Sequence, residues 1–249
     1  MGRRFGQHFL EKKSILDRIA AAACGDGVAL AIEIGPGKGA LTAALLERAE
    51  KLVAIEVDPY LVHYLRQKFA EPIERGRLEL VEGDVLKTSL GEWGPAVFAG
   101  NLPYYITSPI LEKIFKLGDL WTRAVFLVQA EVAARLAASP GTRDFGYLSV
   151  ETQLHATPEI LFPVSRTAFH PPPKVDSAVV RLDPRPDELG DREAILKFAA
   201  ACFRHKRKTL RNNLAPIYGK DSVDALAETK LRAEQLSVAE LAALYRKLS

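Results

Sequence analysis

The residues of this chain best equipped to grip a flat, amine-bearing ligand are Asn101-Leu102-Pro103-Tyr104. Asn101 brings a side-chain carbonyl, and Leu102 a backbone carbonyl that the fixed φ of Pro103 can hold in one direction. An adenine N6 lone pair is delocalised into its ring and is a poor nucleophile. Two acceptors on its hydrogens favour the pyramidal, reactive form, which is help given mainly in the transition state. Tyr104 offers a face on which a base can stack, an interaction of roughly 1–3 kcal/mol. An ordinary turn opened by Asn has the same composition, so the tetrapeptide alone leaves both readings open.

Its surroundings decide more. The apolar run Ala96 to Ala99 leads into Asn101 and Ser108-Pro109 opens a helix after it, so the tetrapeptide sits at the end of a strand. Upstream, Val28 to Ile34 is an apolar run broken only by Glu33, and it ends in Gly35-Pro36-Gly37-Lys38-Gly39 before Leu41, Leu45 and Leu46. Strand, glycine loop and helix in that order open a nucleotide-binding βαβ unit, where Gly35 and Gly37 let the backbone approach a ligand. A second run, Leu52 to Val57, carries Glu56 near its C-terminal end, where an acid accepts both ribose hydroxyls. A third, Leu78 to Val81, is followed by Gly83-Asp84, an acid suited to the exocyclic amine of an adenine, or simply a turn.

No Gly-Lys-Ser/Thr follows a glycine at the P-loop interval, and the spacing is G-x-G-x-G rather than the dinucleotide G-x-G-x-x-G. With Glu33 two residues before it, the loop resembles the S-adenosylmethionine loop of class I methyltransferases; a tight strand–helix turn is the other reading. In an open parallel sheet the C-terminal strand ends line one crevice, so Gly35, Glu56, Asp84 and Asn101 are expected to converge.

The remaining elements follow from pattern. Arg3-Arg4-Phe5-Gly6-Gln7-His8-Phe9-Leu10 mixes cations, amides and aromatics before a helix, and reads either as a ligand-covering or RNA-contacting arm or as a packed terminus. Ala124 to Val128 predicts a fifth strand and Glu131 to Ala138 its helix. Leu148 to Leu154 and Ala178 to Leu182 predict an antiparallel edge pair, joined through the stiff segment Phe169-His170-Pro171-Pro172-Pro173-Lys174. Phe169 is placed in sequence to be a second aromatic wall for the base. Asp183 to Gly190 reads as a linker, which predicts domains at residues 1–186 and 187–249, the second helical throughout. Within it Arg204, Arg207, Lys208 and Arg211 share one face of a helix predicted from Phe203 to Leu214, with no acid between the first and the last. That stripe is expected to bind phosphate rather than merely to be solvated.

Composition narrows the classes. At 249 residues and 48% hydrophobic the chain can bury a substantial core. Its net charge of +3 arises wholly beyond Pro186, where 12 basic residues face 9 acidic ones. Cys24 and Cys202 are too few for a disulfide framework or a cysteine-rich zinc site, and no metal site is expected. Charges at Glu11, Lys12, Lys13, Asp17 and Arg18 argue against a signal peptide before Cys24, and no apolar run reaches the ~18 residues of a membrane span. A cytoplasmic protein with no membrane partner is expected.

Taken together, Phe5 to Leu10, Glu33 to Gly37, Glu56-Val57-Asp58, Gly83-Asp84, Asn101 to Tyr104, Phe169 to Ser177 and Arg207 to Asn212 resemble, in order, the KsgA (RsmA) family of small-subunit ribosomal RNA adenine dimethyltransferases. The resemblance implies an α/β class I S-adenosylmethionine-dependent methyltransferase fold. Its sheet is Rossmann-like and mostly parallel with an antiparallel edge strand, and a small all-α C-terminal domain follows. It implies S-adenosyl-L-methionine as cofactor, with contacts at His8, Leu10, Gly35, Glu56, Asp84 and Asn101, His8 standing where many members have Asn. It implies N6,N6-dimethylation of two adjacent adenosines in the 3′-terminal hairpin loop of small-subunit ribosomal RNA, within an immature subunit during ribosome biogenesis. A monomer is expected. The rivals are a large-subunit enzyme of antibiotic-resistance type, a catalytically idle assembly factor, and, disfavoured by the loop spacing, a nicotinamide-dependent oxidoreductase.

Overall fold

Apolar runs rich in Val, Ile, Leu and Ala build a seven-stranded sheet buried on both faces. The computed structural model describes residues 8–249. Arg3, Arg4, Phe5, Gly6 and Gln7 of the N-terminal motif lie outside the described residues.

The chain divides into two compact units: Met1–Ala133 with Glu159–Pro184, and Ala134–Pro158 with Arg185–Ser249. The first begins with β1 (Phe9–Leu10), α1 (Lys13–Cys24), β2 (Val28–Ile34), α2 (Ala40–Leu46) and β3 (Ala49–Glu56). It continues through α3 (Pro59–Lys68), α4 (Ala70–Glu74), β4 (Leu78–Glu82), β5 (Ala96–Asn101), α5 (Thr107–Phe115) and β6 (Trp121–Gln129). After α6 (Ala130–Leu136) and α7 (Tyr147–His155) come β7 (Ala156–Val164), β8 (Phe169–His170) and β9 (Ser177–Pro184). The large sheet has the order β4-β3-β2-β5-β6-β9-β7, and β1 pairs with β8 in a separate two-stranded ribbon. Strands β2 to β6 pair in parallel, while β9 runs antiparallel to β6.

Ala31, Leu52, Ala54, Val97, Ala99, Val125, Leu127 and Val179 share one core with Leu16, Ile19, Ala20 and Ala23 of α1. Their alternating neighbours Ile32, Val53, Ile55, Phe98 and Phe126 are also buried, as a two-sided parallel sheet requires. The order reverses between β2 and β5, the switch point at which such sheets open a crevice.

Gly100 sits beside that opening. A Cβ there would meet the Ile34 carbonyl oxygen at 2.5 Å, a backbone atom that cannot swing aside. Gly100→Ala is therefore expected to cost about 1–3 kcal/mol by overpacking, read as a lower urea midpoint.

One sequence expectation fails here. Leu148 to Leu154 is not a strand but lies in α7. Its Leu148, Val150 and Leu154 alternate with polar residues, yet Val150 and Leu154 are four apart and both enter the core of the second unit. The Thr152 hydroxyl donates to the Leu148 carbonyl one turn back, consistent with helix. The edge strand is instead β7, which holds Pro158 and Pro163 and ends the strand order, where a missing N–H is tolerated.

The second unit contains α7, α8 (Arg192–Cys202), α9 (Leu210–Tyr218), α10 (Lys220–Asp224) and α11 (Val238–Leu248). Phe145, Val150, Leu154, Phe198, Leu210, Leu214 and Leu241 form its core. The expected division after Pro186 falls two residues from the one at Pro184, but 134–158 belongs with the helical unit.

Candidate functional site

Every strand end that the sequence marks with a glycine, an acid or an amide opens on one cavity of about 700 Å³ in the first unit. Its lining includes His8, Leu10, Gly35, Gly37, Glu56, Asp84, Asn101, Leu102, Pro103 and Tyr104, all expected to meet a ligand. Phe169 is not among them. It is 4% exposed, belongs to the core, and pairs with Leu10 in the β1–β8 ribbon, so it does not form the expected second wall in this structure.

The glycine loop leaves β2 with Gly35 at φ 69° and Gly37 at φ 58°, values that L side chains rarely adopt. Gly35 N–H donates to the Ile55 carbonyl at 3.0 Å. Gly37 N–H donates to Glu56 Oε2 at 3.1 Å, and Val57 and Asp58 N–H both donate to Oε1 at 3.0 Å. The Glu56 carboxylate is thus locked at the end of β3. Burial raises its pKa, and the three N–H donors oppose that rise. Asp84 Oδ1 accepts from Leu86 N–H at 2.9 Å, and Lys113 Nζ donates to the Leu86 carbonyl at 2.8 Å, bracing the turn that aims the acid.

Asn101 Nδ2 donates to the His8 carbonyl at 3.0 Å. That bond fixes the amide's orientation and leaves Oδ1 as an acceptor. Leu102 N–H donates to the Leu127 carbonyl at 3.1 Å, while Pro103 holds φ −59° and ψ 126°. The Tyr104 hydroxyl lies 2.9 Å from Ser177 Oγ, and its ring lies at 25° to His8, with centroids 6.4 Å apart. His8 Nδ1–H donates to the Pro171 carbonyl at 2.7 Å, which fixes the orientation of the ring.

The lining also contains residues that the sequence did not offer as ligand contacts. Glu33 is 1% exposed; burial pushes its carboxyl up to about 8, against a 2.6 Å hydrogen bond from the Thr42 hydroxyl to Oε2. Tyr64 and Lys68, one turn apart on α3, line the cavity too, with Lys68 Nζ donating to the Lys38 carbonyl at 2.8 Å. The signal for this pair was their i, i+4 spacing beside the loop-facing end of β3.

The basic stripe is different from its prediction. Arg204, Arg207 and Lys208 are exposed but occupy turns between α8 and α9, not a helix face. Asn213 Nδ2 donates to the carbonyls of Cys202 at 2.8 Å and His205 at 3.3 Å, satisfying the end of α8 and stopping it there. Arg211, within α9, makes a two-point ion pair with Asp224 and is not a free cation.

Carboxylates on successive strand ends, a positive-φ glycine loop and an open switch point define a class I methyltransferase. The sequence model for ribosomal RNA adenine dimethylases matches residues 1–248, and the chain belongs to that family. It is 43% identical over 258 residues to the ribosomal RNA small subunit methyltransferase A of Acidobacterium capsulatum, covering 98% of this chain and 90% of that protein. It is 40% identical to the protein of that name from Legionella pneumophila strain Corby, covering 99% and 97%. Among solved structures, a dimethyladenosine transferase from Plasmodium falciparum superposes with a TM-score of 0.82 at 27% identity, covering 97% of this chain and 96% of that one. The 23S rRNA methyltransferase ErmE gives 0.73 at 28% identity, covering 96% and 99%.

Proposed function

We propose that this protein dimethylates N6 of two adjacent adenosines in the 3′-terminal hairpin loop of small-subunit ribosomal RNA, with S-adenosyl-L-methionine as donor. The observation that carries the reading is the Asn101 amide on the cavity wall: its nitrogen is held by the His8 carbonyl, so its oxygen is left to accept from a ligand. Beside it the Leu102 carbonyl accepts no hydrogen bond from the described residues, which makes a second acceptor.

The donor set suits the cofactor. Glu56 and Asp84 line the cavity beside apolar Ile55, Val57, Val85 and Leu86 and the cations Lys38 and Lys68, a set with acceptors for the hydroxyls and amine of a nucleoside. When bound, S-adenosylmethionine supplies a methyl group already activated on a sulfonium. Glu56 would hold the ribose hydroxyls and Asp84 the cofactor's adenine amine. Asn101 and Leu102 would polarise the target N6, and Tyr104 would fix the plane of the base. No covalent nucleophile is needed, since catalysis here is positioning plus polarisation. Loop adenosines cost little to splay into such a pocket.

The partner in this reading is the ribosomal RNA of an immature small subunit, met by a monomer in the cytoplasm. Among the described residues no helix is long and apolar enough to cross a membrane. Arg204, Arg207 and Lys208 would contact phosphates; replacing all three by alanine is expected to weaken RNA binding and to flatten its log–log salt dependence by about 2–3 units, with cofactor affinity unchanged. Binding titrations at several salt concentrations read this directly.

The function itself is tested by incubating the protein with labelled methyl donor and unmethylated small subunits, then digesting the RNA to nucleosides. Labelled N6,N6-dimethyladenosine is the expected product. Label confined to large-subunit RNA would transfer the reading to the ErmE-like activity, and no label at all would support an idle assembly factor.

A further inference from the structure

Tyr104 and Tyr105 are neighbours with opposite environments. Tyr104 is half-buried, tied to Ser177 and set against His8. Tyr105 lines the same cavity but is 67% exposed. Among the described residues its hydroxyl has no hydrogen-bond partner and its ring no aromatic neighbour. Its backbone is not loose. Tyr104–Ile106 form a 3-10 turn closed by Ile106 N–H donating to the Pro103 carbonyl at 3.1 Å, and α5 follows directly. A hydrogen-bonded turn therefore presents a bare aromatic face where the cavity meets solvent.

A single exposed aromatic on a protein surface is unremarkable in itself. Its place at this mouth gives it a task. Moving one base out of a stack into a pocket strips its neighbour of a stacking partner on that side, an unstacking penalty that opposes entry. An aromatic ring fixed at the entrance restores the lost stack, and does so for any base because every base has a π-face. We propose that Tyr105 is a positioning residue that stacks on the nucleotide next to the one being methylated. The inference rests on the reading of the cavity as a site for an adenosine extruded from RNA.

The test compares wild-type protein, Tyr105→Ala and Tyr105→Phe on small subunits assembled with unmethylated RNA. The 3′ segment of that RNA carries either the natural sequence or an abasic nucleotide beside a single methylatable adenosine. On natural RNA Tyr105→Ala is expected to lower kcat/KM for the subunit about 10-fold, whereas Tyr105→Phe stays within about 2-fold because the ring, not the hydroxyl, is used. The abasic nucleotide removes both the unstacking penalty and the ring's partner, so it is expected to leave wild-type kcat/KM within about 2-fold and to bring Tyr105→Ala back to near the wild-type value. A merely structural role for Tyr105 would leave the variant slow on both RNAs. Cofactor affinity is expected to be equal in all three proteins. Normal kcat/KM in Tyr105→Ala on natural RNA, or a loss in that variant that persists undiminished on the abasic RNA, would overturn the inference. A wild-type protein that methylates no small-subunit RNA would overturn the reading beneath it as well.

Discussion

Asn101→Ala is expected to lower kcat by about 100-fold or more while leaving the dissociation constant for S-adenosylmethionine within a few-fold of its original value. The amide is held by one bond to the His8 carbonyl at the end of β5, on the strand next to the glycine loop of β2. Removing it withdraws an acceptor from the developing positive charge on N6. The ribose and adenine contacts assigned to Glu56 and Asp84 come from other strands and remain. The loss should therefore fall on kcat, with KM for the RNA nearly constant, as for an interaction made mainly in the transition state. Single-turnover methylation at saturating subunit and cofactor separates this step from product release. Near-normal rates would remove the polarisation argument, and a collapse of cofactor binding would reassign Asn101 to the cofactor alone.

Why this site is legible in sequence, and other parts are not, has a physical cause. Gly35, Gly37, Glu56, Asp84 and Asn101 are residue types that strand ends tolerate and strand interiors do not, so each marks where a buried parallel strand stops. Parallel topology then brings those stops together without further information. Leu148 to Leu154 misleads because its alternation mimics a strand, while the core that selects helix comes from distant residues such as Phe198 and Leu241. Pro158 and Pro163 hide β7, since proline argues against a strand unless the strand is at an edge, and edge position is a property of the assembled sheet. The helical wheel from Arg204 to Arg211 has the right period, but Asn213 captures the carbonyls that would have continued α8, and Asp224 neutralises Arg211. Phe169 looked like a wall from its neighbours in sequence; pairing with Leu10 turns it into core instead. Glu33 was visible as part of the loop pattern, yet only the fold shows that it is enclosed.

That enclosure predicts a pH dependence. The Glu33 carboxyl ionises at its ordinary value of 4.5 when unfolded but at about 8 when folded, chiefly because burial disfavours the charge. Below 4.5 both states are protonated and the group has no influence on folding. As pH rises, the unfolded chain releases its proton first, so stability is lost progressively up to about 8 and is level above it, a change on the order of a few kcal/mol. Glutamine has the shape of the protonated acid and still offers an oxygen to the Thr42 hydroxyl. Glu33→Gln is therefore expected to fold and to lose most of the downward slope in urea midpoint between pH 5 and 8. Contributions from every other group are common to both proteins, so the difference between the two curves is the measured quantity. A cationic cofactor in the cavity should favour the ionised carboxylate, expel its proton, and bind more tightly as pH rises toward 8. Calorimetry in buffers of different ionisation enthalpy should register proton release on binding to the wild type below pH 8 and much less with Glu33→Gln. Parallel stability curves for the two proteins would show that Glu33 is already ionised in the folded chain, and equal proton release would show that cofactor binding does not change its charge.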